Sequence, residues 1–89
     1  MGVFLNQLKK EQKCTVVGFD ETISLKLKRR LLELGFLPNV EITVEQISFL
    51  NEVMLLELNG FLVSLRADIA KHIKIDLKKE SVNGSNTFR

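Results

Sequence analysis

The stretch VMLLELNGFLVSLR, residues 53–66, decides the fold of this 89-residue chain. Asn59 and Gly60 separate two apolar runs, and an Asn-Gly pair favours a two-residue hairpin turn because both positions need a positive φ. Such a turn places Leu58 opposite Phe61 and fixes the register of the two strands. Six apolar residues then share one face of the hairpin: Met54, Leu56, Leu58, Phe61, Val63 and Leu65. We therefore predict an antiparallel pair of strands with this face towards the core.

The residues before the hairpin predict a further strand that bends. From Val40 to Val44, apolar and polar residues alternate with a period of two, as in a strand with one buried face. Ile47 and Phe49 continue the apolar pattern with the opposite parity. A bulge or sharp bend at 45–46 would keep both parts of the pattern on the inner side. Such a bend lets a small sheet turn the corner of a barrel.

A helix that ends at Leu34 is predicted upstream of this strand. Gly35 can adopt the left-handed conformation that closes a helix, and Pro38 follows where the helix could not continue. The start of the helix is open, because residues 20–22 supply capping side chains and Ser24 competes with them. An arc about 80° wide is apolar and is predicted to face the core. It holds Ile23, Leu27, Leu31 and Leu34.

The remaining segments complete a mainly β domain. Residues 13–19 are rich in β-forming types and predict a strand. Residues 67–72 suit one or two helical turns, and the alternation over 73–77 predicts a closing strand. Residues 78–89 have almost nothing to bury and predict a mobile tail. Residues 1–77 are thus predicted to form a small, partly open SH3-like barrel of about five strands, with one inserted α-helix and a short second helix.

Charge and cysteine content limit the classes of protein to which this chain can belong. The chain carries 13 basic and 11 acidic residues, but the last twelve residues hold three of the basic ones and one acid, so residues 1–77 are formally neutral. A nucleic-acid binder needs a clustered basic surplus to neutralise phosphates.

One cysteine, Cys14, excludes an intrachain disulfide and fits a reducing compartment. The first residues lack the basic region of a secretion signal, and the longest apolar run, 53–56, is too short to cross a bilayer. We therefore expect a cytoplasmic protein without direct membrane insertion.

The basic residues of the predicted helix do not form the pattern of a nucleic-acid reader. Lys26, Arg29 and Arg30 share one arc. Glu33 lies in the same arc and is placed to pair with Arg29 or Arg30. A helix-turn-helix would also need a second helix close by, whereas the next predicted element is a strand. We interpret this arc as a solvated face and expect no nucleic-acid partner.

Two motifs carry a family resemblance. Residues 29–42, RRLLELGFLPNVEI, contain a basic pair, Leu-x-x-Leu-Gly and a Pro-led turn into a strand. Residues 58–66, LNGFLVSLR, form an Asn-Gly hairpin that ends in Ser-Leu-Arg. Together they resemble the FeoA family of ferrous iron transport accessory proteins. Residues 4–9 and 17–19 are also similar to the start of that family, so the resemblance spans about residues 4–77.

The resemblance implies both a fold and a function. It implies an SH3-like barrel with an inserted helix, in accord with the predicted elements. It also implies a cytoplasmic, non-enzymatic accessory module that docks on the cytosolic part of a membrane GTP-driven ferrous iron transporter, and so lies at the inner face of the membrane through its partner. No cofactor is implied, since ferrous iron is the ion that the partner handles. Two departures are local: Asn39 replaces the usual Gly, and the loop at 49–52 lacks the common Gly-Asp-Pro turn.

A metal-responsive module that itself binds a divalent transition metal ion is the alternative function, and an RNA-binding barrel is a less favoured third. Asp68 and His72 lie four residues apart in the predicted short helix, and Asp76 follows, so the three are weak candidate ligands. Tight sites usually need three or four good ligands, and we favour an exposed His72 in a local salt bridge. With one histidine, one cysteine and no phosphate-binding glycine loop, we expect no resident metal and no catalytic activity.

More apolar residues are present than one core face needs. Leu25 and Leu32 lie on the far side of the helix, and Leu55 and Leu62 lie on the reverse face of the hairpin. The helix could pack over that reverse face and hide both pairs. The other possibility is a protein contact, either to the transporter or to a second copy in a homo-oligomer. The residues predicted for such a contact are Leu25, Leu32, Phe49 and Leu50, with Arg29 and Arg30 at the rim.

Overall fold

The computed structural model describes residues 3–77, which form one antiparallel sheet with helices at its connections. The elements in chain order are β1 (Val3–Phe4), β2 (Lys13–Phe19), α1 (Leu25–Leu34), β3 (Glu41–Ile47), β4 (Val53–Leu58), β5 (Phe61–Arg66), α2 (Ala67–Ala70) and β6 (Ile73–Leu77). A 3₁₀ turn, Leu5–Gln7, follows β1. The strands hydrogen-bond in the order β1-β6-β2-β3-β4-β5. The predicted mainly β fold, with one longer and one short helix, is confirmed.

The hairpin forms around the turn that its sequence predicts. Asn59 and Gly60 have φ values of 52° and 83°, which is the left-handed backbone of a type I′ turn. Leu58 pairs with Phe61, and the register continues without a shift along both strands. Leu58 is fully buried, whereas Phe61 is 71% exposed because β5 is the last strand of the described sheet. The register is confirmed, and on the β5 side burial increases from the exposed Phe61 to the buried Leu65.

The predicted bend in β3 is a bulge. Val44 pairs with Leu56 and Gln46 pairs with Leu55, so the register shifts between these two pairs. The extra residue returns Ile47 to the inner side, where it packs against the core. Phe49 does not follow it inward, because β3 ends at Ile47.

Two features of the sheet are not predicted from the sequence. β1 pairs Val3 with Ile75 at the outer edge of β6, and two residues are too few to show a period. In β2, the register with β6 shifts between Val16 and Gly18. The second bulge turns Val17 outward, where it is exposed. The described sheet therefore has six strands rather than about five.

The capping residue of α1 is Ser24. Its Oγ accepts a hydrogen bond from the backbone N–H of Leu27 at 3.1 Å, which satisfies one of the free donors of the first turn. Residues 20–22, the other candidates for this role, lie outside the helix.

The end of α1 confirms the glycine cap and corrects one core residue. Gly35 has a φ of 112°, and its N–H bonds back to the last turn of the helix. Leu31 is buried as predicted, but Leu34 is 51% exposed. The prediction for Leu34 is wrong because the chain reverses at Gly35, and the fully buried Phe36 supplies the next core side chain.

The second helix is shorter than the segment 67–72. It ends at Ala70, and the carbonyl of His72 accepts the N–H of Asp20 at 2.9 Å. That bond aligns the chain with the end of β2, and β6 begins at the next residue. The predicted closing strand over 73–77 is confirmed. The predicted tail, 78–89, lies outside the described residues.

Candidate interaction surface

The reverse face of the hairpin is not covered by α1. Gly35, at the end of the helix, lies against the inner face of the hairpin: a Cβ built on it would be 3.4 Å from Cδ1 of Leu58. On the reverse face, Leu62 is 63% exposed and Leu55 is half-buried. On the helix, Leu25 is 65% exposed. The alternative in which the helix hides both sets of leucines is therefore wrong.

The outer arc of α1 combines an exposed leucine with cations. Leu25 is exposed beside Arg29, whereas Leu32 is only half-exposed. Arg30 is also exposed, on the neighbouring part of the arc. The predicted pairing of Glu33 with either arginine does not form, since the ion pairs of residues 3–77 lie elsewhere. Arg29 and Arg30 thus form no direct ion pair with a carboxylate among residues 3–77.

Lys28 is the cation of α1 with an aromatic neighbour. Its Nζ lies 6.0 Å from the centre of the Phe19 ring, at the outer limit of a cation–π contact. This contact holds Lys28 towards the end of β2. Arg29 and Arg30 have no such ring contact among the described residues, so they remain available on the outer arc.

The β3–β4 loop presents two apolar side chains on an ordered turn. Phe49 is 95% exposed and Leu50 is 67% exposed. The Oγ of Ser48 accepts the N–H groups of Glu52 and Val53, both at 3.0 Å, so one side chain closes the base of the loop. The loop therefore holds its two apolar residues outward. We call Phe49 and Leu50 the loop tip.

A shallow, open pocket lies between this loop and the start of α2. Its volume is about 250 Å³, and its lining residues are Asn51, Glu52, Arg66, Ala67 and Asp68. Arg66 Nε donates to Asp68 Oδ1 at 3.2 Å. This hydrogen bond lowers the pKa of Asp68 and raises that of Arg66. The pocket contains a paired arginine and no convergent set of ligands.

The three weak metal candidates do not come together. Asp68 pairs with Arg66, and His72 Nδ1 lies 2.9 Å from Oδ1 of Asp20. Asp76 lies on β6, opposite Thr15 of β2. The prediction that Asp68 and His72 lie on the same short helix is wrong, because α2 ends at Ala70. Across residues 3–77, no group of three or more His, Cys, Asp or Glu side chains is placed to hold a metal ion.

Asp20, Thr22 and His72 form a polar cluster that the sequence does not reveal. Thr22 Oγ1 donates to Oδ2 of Asp20 at 3.1 Å, while His72 contacts Oδ1. The hydrogen bond from His72, followed by that from Thr22, lowers the pKa of Asp20. The expectation of an exposed His72 in a local salt bridge is wrong: its side chain is 16% exposed, and its carboxylate partner, Asp20, is 52 positions away, so no local pattern predicts the contact. The cluster joins the segment before α1 to the start of β6.

Cys14 behaves as a buried apolar residue. It is fully buried on β2, and burial, with a smaller effect from the charge of Glu41, raises the pKa of the thiol to about 12. A thiol with this pKa stays protonated at neutral pH and is a poor nucleophile and metal ligand.

Comparison with known proteins identifies the family. Residues 3–77, the whole of the described range, match the family model of the FeoA domain. The chain belongs to the FeoA family. This confirms the resemblance carried by the motifs at 29–42 and 58–66. FeoA is a family of transport-associated proteins with an accessory role in ferrous iron transport, and it is not a known family of enzymes.

Similar proteins agree on both sequence and fold. A protein of Campylobacter jejuni subsp. jejuni named Fe(2+) transport protein A is 37% identical over 73 residues, which cover 82% of this chain and 96% of that protein. The solution structure of a FeoA-like protein from Clostridium acetobutylicum has a TM-score of 0.79 at 26% identity, with 96% of both chains covered. The crystal structure of Stenotrophomonas maltophilia FeoA complexed with zinc, described as an SH3 domain protein, has a TM-score of 0.73 at 24% identity, covering 83% of this chain and 89% of that one. The SH3-like fold is thereby confirmed.

Neither α1 nor α2 has the length and apolar character of a transmembrane segment, and the described part of the FeoA chain contains no other α-helix.

Proposed function

We propose that this FeoA protein docks on the cytosolic part of a membrane GTP-driven ferrous iron transporter and regulates its GTP cycle or gating. The observation that carries the proposal is the exposed Leu25 beside Arg29, which has no direct ion pair among the described residues. An apolar anchor with cations at its rim is a common composition of protein interfaces. In this role the chain lies at the inner face of the membrane through its partner.

The two parts of the proposed surface supply different contributions to binding. Leu25 buries apolar area on contact, while Arg29 and Arg30 attract an acidic partner surface and accelerate association. The loop tip, Phe49 and Leu50, follows the end of β3, whereas α1 precedes its start, so the loop tip would make a second, separate apolar contact. Because Ser48 holds that loop in place, ordering it on binding costs little conformational entropy. Leu32 is half-buried and supports the helix more than it contacts a partner.

The test compares two leucine substitutions on the same helix. Binding of the chain to the transporter, reconstituted in lipid nanodiscs, is measured by biolayer interferometry. Leu25→Glu should weaken binding by about tenfold or more, since an exposed anchor loses its apolar contact and gains a repelled charge. Leu34→Glu is the matched control, because Leu34 is also exposed but lies about 180° around the helix from Leu25. Equal binding by the two variants would contradict the proposed surface.

The arginines are tested by their effect on association. Replacing Arg29 and Arg30 together by Glu should slow association and reverse its dependence on ionic strength, while the dissociation rate changes less. An unchanged association rate at low salt would remove both arginines from the interface.

A further inference from the structure

The outer edge of β5 has unpaired backbone groups. In a two-residue hairpin, Leu58 and Phe61 exchange both hydrogen bonds, so the peptide groups of alternate β5 residues face β4. The peptide groups of Leu62 and Ser64 therefore point away from β4. Among the described strands, β5 pairs with β4 alone. Neither Leu62 nor Ser64 bonds through its backbone to another described segment.

β5 has few of the features that protect edge strands from pairing with another chain: its one charged residue, Arg66, is the last of the strand and pairs with Asp68. Such strands usually carry a lysine, a proline or a bulge, or are very short. β5 pairs regularly over all six residues and contains no Lys or Pro. Phe61 and Leu62 are both largely exposed. The opposite edge of the sheet, β1, has only two residues, so β5 is the described edge that can accept a full strand.

We propose that β5 pairs with β5 of a second copy of this chain, antiparallel and about a twofold axis at Val63. In this register Leu62 lies opposite Ser64 of the second copy, and the twofold axis repeats the pair. The outward peptide groups of both residues then form hydrogen bonds across the axis. Phe61 lies opposite Leu65 of the second copy, so exposed apolar surface is covered as well.

Charge complementarity favours a second copy as the occupant. Arg66, the charged residue of β5, falls opposite Gly60 of the second copy. The N–H of Gly60 donates to Oε2 of Glu57 at 3.0 Å, so each Arg66, which already bonds Asp68 of its own chain, approaches a second carboxylate across the axis. Glu57 has no ion pair within its own described chain.

Disulfide trapping tests the pairing and its register together. The two Val63 residues form a non-hydrogen-bonded pair, with Cα atoms about 4.5 Å apart, which is within the range of a disulfide. Under mild oxidation, Val63→Cys should form a covalent dimer. Phe61→Cys is the control, because the two copies of residue 61 would lie about 14 Å apart along the strands. The native Cys14 is fully buried and does not compete. Equal trapping of both variants, or a monomeric Val63→Cys, would overturn the proposal.

Sedimentation measures the same association without a covalent bond. The unmodified chain should show a concentration-dependent shift from monomer to dimer. Leu62→Lys should weaken the dimer by about tenfold or more, since a charged side chain disfavours edge pairing. Arg66→Glu and Glu57→Arg should each weaken it, and the double variant should recover most of the loss. A monomer at every concentration, or no recovery in the double variant, would contradict the interface between copies.

Discussion

Asp20 and His72 connect two segments of the chain that are 52 positions apart. The side-chain contact of 2.9 Å is reinforced by the backbone bond from Asp20 N–H to the carbonyl of His72. Thr22 completes the set by donating to the second carboxylate oxygen. At the scale of single residues, this cluster fixes where α1 starts relative to β6.

The lowered pKa of Asp20 makes part of the stability dependent on pH. Because the folded pKa lies below the unfolded value of about 3.9, the ionised carboxylate stabilises the fold above that value, and this contribution is lost as the pH falls through the folded pKa. Asp20→Asn should therefore lower the urea midpoint at pH 7, and its difference from the unmodified chain should shrink in acid.

The control for this prediction is Asp76→Asn, which removes an exposed carboxylate from β6. Urea midpoints of the three proteins are measured from pH 7 to pH 2. If Asp20→Asn and Asp76→Asn follow the same curve, the cluster does not stabilise the fold through its charge.

At the scale of elements, α1 depends on the conformation of a single glycine. Gly35 has a φ of 112°, which an L-residue adopts only at a cost. A Cβ at this position would meet Leu58 at an ordinary van der Waals distance, so the expected effect comes from the backbone. We predict that Gly35→Ala lowers the free energy of unfolding by about 1–2 kcal/mol.

Gly18→Ala is the matched control for this prediction. Gly18 lies on β2, has no positive φ, and has open space where its Cβ would be. Its replacement should leave the urea midpoint unchanged or raise it slightly, because alanine restricts the unfolded chain. Equal destabilisation by both substitutions would show that the left-handed backbone at Gly35 is not the cause.

The elements that the sequence predicts are those whose signals are local. The Asn59–Gly60 turn fixes a register by itself, and the change of parity after Val44 identifies the bulge in β3. β1 has two residues and no period, so it becomes a strand only because β6 offers an edge. The exposure of Leu34 also depends on tertiary structure, namely on how the chain turns after Gly35. Periodicity along the helix cannot predict that turn.

At the scale of the whole molecule, charge is unevenly distributed although its sum over residues 1–77 is zero. α1 carries four basic residues and one acid. Residues 41–58 carry four acids and no base. The neutral total charge argues against a nucleic-acid binder. It does not show that the basic residues cluster on one arc of α1. The candidate surface was predictable as a set of residue types, whereas the exposure of Leu25 and the ordering of the loop tip required the tertiary structure.

Uptake of radiolabelled ferrous iron tests the accessory role most directly. Cells that lack their own copy of this gene are complemented with the unmodified chain, with Leu25→Glu or with Leu34→Glu, at matched levels of folded protein. The unmodified chain and Leu34→Glu should restore uptake, while Leu25→Glu should leave it near the level of the deletion. Full restoration by Leu25→Glu would contradict docking through the outer arc of α1.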